Sequence, residues 1–421
     1  MADHELRLVL NDELHGRPGL PVRTPARITH LAFTLSEGDV DPLAHVATLC
    51  LGLGLKQPMA AAHHHAVEFA SGLLKFERHG EFYRISVTSE GKNLKHEAIA
   101  SLPERWVADL PGKRLVAIHS HILAKSSPSP SEANLKALFG HDEMASSAVN
   151  QGKATVWSDF RIGADGYTRM LIHDHGLSPM RMGRLTRRLH EIETYRMMAL
   201  LGLPLARLLQ QKIKPLETAL SATIASMLSA QGAAEDSKLL DGLTAIARDV
   251  EELSNLSSYR FAATRAYAAL VAKRIQELGE DRVMSYQRLG VFLDRRFSPA
   301  IATCSAVGER INSLALRSER ASNLLRTRVD IMLETQNQQL LRSVDRNARQ
   351  QLLLQQTVEG LSIVAISYYA ISIAAKLIEG LGSYLPWLDV KLAELISIPV
   401  IVALVALGIW RVHRKLTGQG S

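Results

Sequence analysis

Gly360–Ala375, reading GLSIVAISYYAISIAA, and Leu395–Trp410, reading LISIPVIVALVALGIW, are two uncharged apolar runs joined by a short connection and followed by the basic tail Arg411, Arg414 and Lys415. A membrane-crossing helix needs about 20 mainly apolar residues, rising ~1.5 Å each, to cover ~30 Å of hydrocarbon. The first run reaches that length through Lys376 to Ile378, with the Lys376 amine extended toward the interface. The second reaches it by including Leu392 to Glu394, with Trp410 as an interfacial anchor. Neither run carries the charged face of a core helix in a soluble domain, so the pair predicts a hairpin of two membrane helices with the lipid bilayer as partner.

Positive charge sets the expected orientation. Arg342, Arg346 and Arg349 precede the first run, Arg411, Arg414 and Lys415 follow the second, and only Lys376 and Lys391 lie between. Lys and Arg are retained on the cytoplasmic side, so both termini are expected in the cytoplasm of a multi-pass inner-membrane protein, with Pro386 and Trp387 outside. The opening MADHELRLVLNDELHGRP is acidic and polar, with no basic segment leading into an apolar one, and predicts no secretory signal.

The remaining composition sets limits. With 421 residues the chain is long enough for two or three domains. A net charge of +7 fits a body beside an anionic leaflet. Basic residues are not clustered with aromatics, so nucleic acid is not an expected partner. Cys50 and Cys304 are far apart with no metal-like spacing, as in a reducing compartment.

Residues 1–180 read as a mixed α/β domain in an overall α+β chain. Strands are predicted at Arg27–Thr34, Ala66–Glu77, Phe82–Thr88, Arg114–Leu123, Ala154–Ile162 and Tyr167–Asp174, each rich in β-formers and bounded by turn residues. Gly80, and Gly163 with Asp165 and Gly166, mark hairpin turns. Helices are predicted at Pro42–Leu55 and Glu132–Phe139. From Ser178, with Pro179 in the first turn, the pattern becomes helical, giving a helical domain over 181–298 with breaks at Pro204, Pro215 and Gly232. Further helices are predicted at Asp236–Gly279 and Asp281–Phe297. Pro299 then opens a stalk over 299–356, where Ile311, Leu314, Ala321, Leu325 and Met332 recur at helical steps. A helix of that length spans ~85 Å. It is expected to pair with other helices or with copies of itself, giving a homo-oligomer through the stalk and the membrane helices of 357–421.

Polar residues outside the membrane converge on one candidate cluster: His15, Arg17, Glu77, Arg78 and His79. Such a set performs acid/base work or grips an anion, and equally forms ion pairs that fix one segment against another. A hydrolase would need His15, Glu77 and His79 in one concave pocket. In the first membrane run Ser362, Tyr369, Ser372, Lys376 and Glu379 fall at or near helical steps, a polar face suited to helix packing or to lining a pore. His63, His64 and His65 sit in a row in an Ala-rich stretch, and the pairs His119 with His121 and His173 with His175 share strand faces, but none comes with an HExxH helix or cysteine ligands. No nucleophile elbow, Walker loop or dinucleotide fingerprint occurs, so neither a metal nor another cofactor is expected.

LNDELHGRP (Leu10–Pro18), HLAF (His30–Phe33), FERHGEF (Phe76–Phe82), SDFRIGADGYTR (Ser158–Arg169), GRLTRRLHEIETYRMMALLGLPLAR (Gly183–Arg207) and TVEGLSIVAISYY (Thr357–Tyr369) together resemble the membrane-anchored proteins filed as domain of unknown function 3422. Gly16, Phe76 and Gly80 depart from that pattern. The resemblance implies an architecture and no reaction. The plan of α/β domain, stalk and two terminal spans is also similar to CorA-type cation channels, but the Gly-Met-Asn signature after the first span is replaced by Lys376, Leu377, Ile378, Glu379 and Gly380. The expected role is non-enzymatic binding or scaffolding at the cytoplasmic membrane, with a CorA-like ion channel as the alternative.

Overall fold

A computed structural model describes residues 3–7, 11, 19–36, 38–91, 96–230, 232–284, 286–382 and 389–417. Among these residues nine strands form one mixed sheet: β1 (Ala26–Thr34), β2 (His64–Phe69), β3 (Gly72–Arg78), β4 (Phe82–Glu90), β5 (Lys113–Leu123), β6 (Ala145–Val149), β7 (Ala154–Ile162), β8 (Thr168–Asp174) and β9 (Asp281–Arg282). Their order is β2-β3-β4-β1-β5-β8-β7-β6-β9, antiparallel except for the parallel pair β5 and β8. Strand alternation sends Ile28, Ala32, Phe82, Val116, Ile118 and Ile122 to one face, where they pack with Met182, Leu185, Leu189 and Ile192 of α4 (Pro179–Leu200). The other face presents Leu31, Phe33, Phe76, Tyr83 and Ile85 to Leu43, Val46 and Leu49 of α1 (Pro42–Gly52) and to Trp106 of α2 (Glu104–Ala108). Helix α3 (Glu132–Phe139) covers a smaller cluster with Leu135 against Trp157 and Leu171.

The expected α+β class holds, and the corrections are local. The predicted strand Ala66–Glu77 is two strands folded back at Ala70 and Ser71, and Gly72, which opens the second, lies so close to the Thr88 backbone of β4 that only a glycine fits. Strand β6 was not predicted. Pro215 does not break the chain: α5 (Gly202–Ser229) runs through it, with Pro204 in its first turn and Leu209, Ile213 and Leu220 buried around it. The predicted helix Asp281–Phe297 starts only at Leu289, since Asp281 and Arg282 pair with β6. Pro299 is therefore interior to α7 (Leu289–Gly382), not its first turn. Phe292, Leu293 and Phe297 are buried in the sheet core, and their packing holds the turns ahead of the proline. At the start of α7 the Glu280 carboxylate accepts from Gly290 N at 3.0 Å, and Ser147 Oγ accepts from Leu289 N at 3.0 Å.

The segment 19–22 crosses the first turns of α4, where Val22 N donates to the Pro179 carbonyl at 3.0 Å. A Cβ on Gly183 would collide with the Leu20 carbonyl oxygen. Gly→Ala inside a helix ordinarily stabilises by about 1 kcal/mol. Here Gly183→Ala is expected to reverse that sign and cost roughly 1–3 kcal/mol, read as a lower urea midpoint. A gain in stability would show that this crossing does not form.

By contact density the chain divides into two units, Met1–Gln231 with Ser237–Asn323, and Gly232–Asp236 with Leu324–Ser421. Helix α6 (Ala233–Leu278) contributes to both. Within the second unit are the last part of α7 and the whole of α8 (Val390–Thr417). Their apolar windows reach mean hydropathies of 1.8 and 2.5, and only 6% and 0% of those windows are buried. Each helix is long and apolar enough to cross a membrane.

Candidate functional site

Antiparallel pairing places Glu77 opposite Arg84 and Lys75 opposite Ser86, and β1 sets His30 opposite Ser86, so these side chains share one sheet face. Helix α4 lies over that face and lowers Arg187, His190, Glu191 and Thr194 onto it, a stripe at steps of one, three and four. Helix α6 adds Arg274 and Glu277.

The centre of the assembly is Arg84, 2% exposed, between two carboxylates. Its Nε donates to Glu77 Oε2 at 2.7 Å and its Nη2 to Glu191 Oε1 at 3.3 Å. Glu191 also accepts from Arg187 Nε at 2.8 Å and from Arg274 Nε at 2.6 Å. Arg274 Nη1 reaches both oxygens of Glu277, and Arg188 Nε lies 3.2 Å from the same carboxylate. Lys75 Nζ is 3.2 Å from Glu77 Oε1, a charge contact not aligned as a hydrogen bond. Burial would push the Glu77 carboxyl up, but the charges of Arg84 and Lys75 outweigh it and bring the group down to about 2. Glu191 is lowered in the same way, burial being overcome by Arg84 and Arg187.

Two histidines sit beside these cations and stay neutral. His30 Nδ1 pairs with Ser86 Oγ at 2.8 Å and its Nε2 with Thr194 Oγ1 at 3.1 Å. His190 Nε2 pairs with Ser120 Oγ at 2.9 Å, and the two rings stack at 4.7 Å. Burial, then the Arg84 charge, lowers His190 to about 3, and burial with His190 and Arg84 holds His30 well below its ordinary range. A cavity of about 50 Å³ lies among His30, Glu77, Arg84, Ser86 and Thr186. The 2.8 Å spacing of Ser86 and His30 is that of a nucleophile and base. However, the other ring nitrogen of His30 meets the Thr194 hydroxyl rather than a carboxylate, and an imidazolium formed there would face Arg84 and Lys75. The arrangement suits a rigid charge lock between sheet and helix, and not proton abstraction.

Of the described members of the predicted polar cluster, Glu77 is the one whose ion pairs form this network. Arg78, on the opposite face of β3, pairs with Asp41 at 3.0 Å. His79 stacks on Phe82 at 4.4 Å. His15 and Arg17 lie outside the described residues. In α7, Ser362 Oγ and Ser372 Oγ donate to the carbonyls of Val358 and Tyr368 at 2.7 and 2.9 Å, and Tyr369, Lys376 and Glu379 are exposed. Ser367 is buried there, and Ser362 and Ser372 are half-buried. His119 and His121 converge on Glu97, at 3.6 and 2.8 Å. Among the described residues no group of three His, Cys, Asp or Glu is placed to hold a metal ion. Sequence reading missed His30, Arg84, Glu191 and His190 as one group. Arg84 did carry a signal, being a lone charge inside the β-forming run Phe82–Val87.

The family described as Protein of unknown function (DUF3422) matches residues 2–416. The chain belongs to the DUF3422 family. That match embraces the network, from His30 on β1 to Glu277 on α6, together with both apolar helices. No curated protein matches the chain, and the likeness to CorA-type channels gains no support from the comparisons.

Proposed function

We propose that this DUF3422 protein is a multi-pass protein of the cytoplasmic membrane that works by binding or scaffolding rather than by catalysis. The observation that carries the reading is the pair of apolar helices left uncovered, 6% and 0% buried over their most apolar windows. In water that surface would be far larger than a soluble monomer exposes. Arg342, Arg346 and Arg349 before the first span, and Arg411, Arg414 and Lys415 after the second, favour both termini in the cytoplasm. Exposed Leu340, Leu341 and Val344 on α7 support self-association along that helix. The non-catalytic part rests on the charge lock, where Glu77 and Glu191 are held ionised by cations and both imidazoles are spent on hydroxyls.

Full-length protein, washed in alkaline carbonate and spun through a density gradient with its membranes, is expected to float with lipid. Recovery as soluble protein at the bottom of the gradient would refute membrane insertion. Liposomes carrying the protein are expected to show no divalent-cation flux, and a flux above empty liposomes would overturn the scaffolding role in favour of a channel.

A further inference from the structure

The two edges of the sheet are unlike. At one end β9 is two residues long, and both Asp281 and Arg282 are charged and exposed, the usual way of blunting an edge. At the other end β2 presents six residues, His64–Phe69, with no proline, no lysine and no break in its register against β3. Among the described residues the backbone of β2 is paired along β3 alone, so one row of its N–H and C=O groups points outward. Beside this edge the end of α1 and the following loop leave Leu51 77%, Leu53 43% and Met59 79% exposed, and Cys50 of that helix contacts His65 at 3.7 Å.

We infer that β2 pairs antiparallel with β2 of a second copy of this chain, joining two sheets across a two-fold axis through Ala66. Opposed residues of an antiparallel pair share a face, so the axis must pass through a residue and not between two. With Ala66 opposite Ala66, His64 stands opposite Glu68, and the symmetry makes that pair twice. An imidazole and a carboxylate directly across a ladder hydrogen-bond to each other, whereas an axis through Val67 would set Glu68 against Ala66 and lose both pairs. His65 and Val67 then oppose each other on the face that carries Leu51, Leu53 and Met59, which two copies would cover together. The alanines at the axis let the strands approach without obstruction. This interface is independent of the membrane reading, since every residue in it belongs to the first unit.

Cysteine crosslinking in the full-length protein, kept in its native membranes, tests the register. Cα atoms opposed across a ladder are about 4.5–5.5 Å apart, within disulfide range. Ala66→Cys is therefore expected to give a disulfide-linked dimer as the main species on a non-reducing gel after mild oxidation. Glu68→Cys places its two thiols about four residues apart along the strands, roughly 14 Å, and is expected to remain monomeric. The native Cys50 and Cys304 are buried, which keeps the background low. Adding Glu68→Lys to Ala66→Cys sets an ammonium opposite His64 and is expected to slow crosslinking several-fold. No dimer from Ala66→Cys, equal crosslinking from Glu68→Cys, or a rate indifferent to Glu68→Lys would each overturn the interface.

Discussion

Arg84→Met is expected to destabilise the first unit by about 3–5 kcal/mol, the cost of leaving buried carboxylates without their cation. Two are involved, Glu77 at 2.7 Å and Glu191 at 3.3 Å, and neither can turn to water, being 3% and 1% exposed. Glu191 keeps Arg187 and Arg274, so the larger share of the loss falls on Glu77, whose other ion pair among the described residues is with Lys75. Arg84→Lys keeps the charge but not the planar fork that reaches both carboxylates, and an intermediate loss is expected. Combining Arg84→Met with Glu77→Leu removes the orphaned charge and should return much of the stability. Urea unfolding of the full chain in mild detergent reads all three variants. A loss below about 1 kcal/mol for Arg84→Met would mean that the fork does not join helix to sheet.

Acid is expected to unfold this unit early, and the direction follows from which state holds the protons. His190 is held at about 3 by burial and the Arg84 charge, with His30 also well below its ordinary value. An unfolded chain takes up both protons as pH falls past about 6.5, while the folded chain refuses them. Stability fully present above that point is lost progressively as pH falls toward 3. Each proton so refused costs about 1.4 kcal/mol per pH unit. Glu77, brought down to about 2 by Arg84 and Lys75 against the effect of burial, extends the loss below its ordinary value of about 4.5. Urea midpoints measured from pH 7 down to pH 5 should therefore drop steeply. His190→Gln, which retains a polar group for Ser120, should lessen the slope by about one proton. A midpoint that stays level across that range would show that the stacked pair accepts protons in the folded state.

Much of the site was legible one residue at a time and illegible as a group. FERHGEF announced Glu77, Arg78 and His79 as neighbours in sequence, yet strand alternation sends Glu77 into the lock and Arg78 out to Asp41. The Arg187 and Glu191 pair was readable from helical spacing. Its meeting with Arg84 was not, because 107 residues separate Arg84 from Glu191 and no local periodicity encodes which stretch of sheet lies beneath a helix. The proline breaks failed for a related reason. Pro215 and Pro299 each remove one backbone donor, and the buried side chains packed on either side outweigh that loss.

By itself the sequence determined the α+β order of elements, most strand positions and the two apolar terminal helices, since periodicity, turn residues and uninterrupted hydropathy are local properties of a chain. Tertiary structure alone decided the strand order, the parallel pairing of β5 with β8, the burial of Arg84 between Glu77 and Glu191, and which sheet edge remains open. These depend on contacts between distant segments, where desolvation makes a lone charge costly and a paired one tolerable. Only the folded sheet could say where each charge would find its partner.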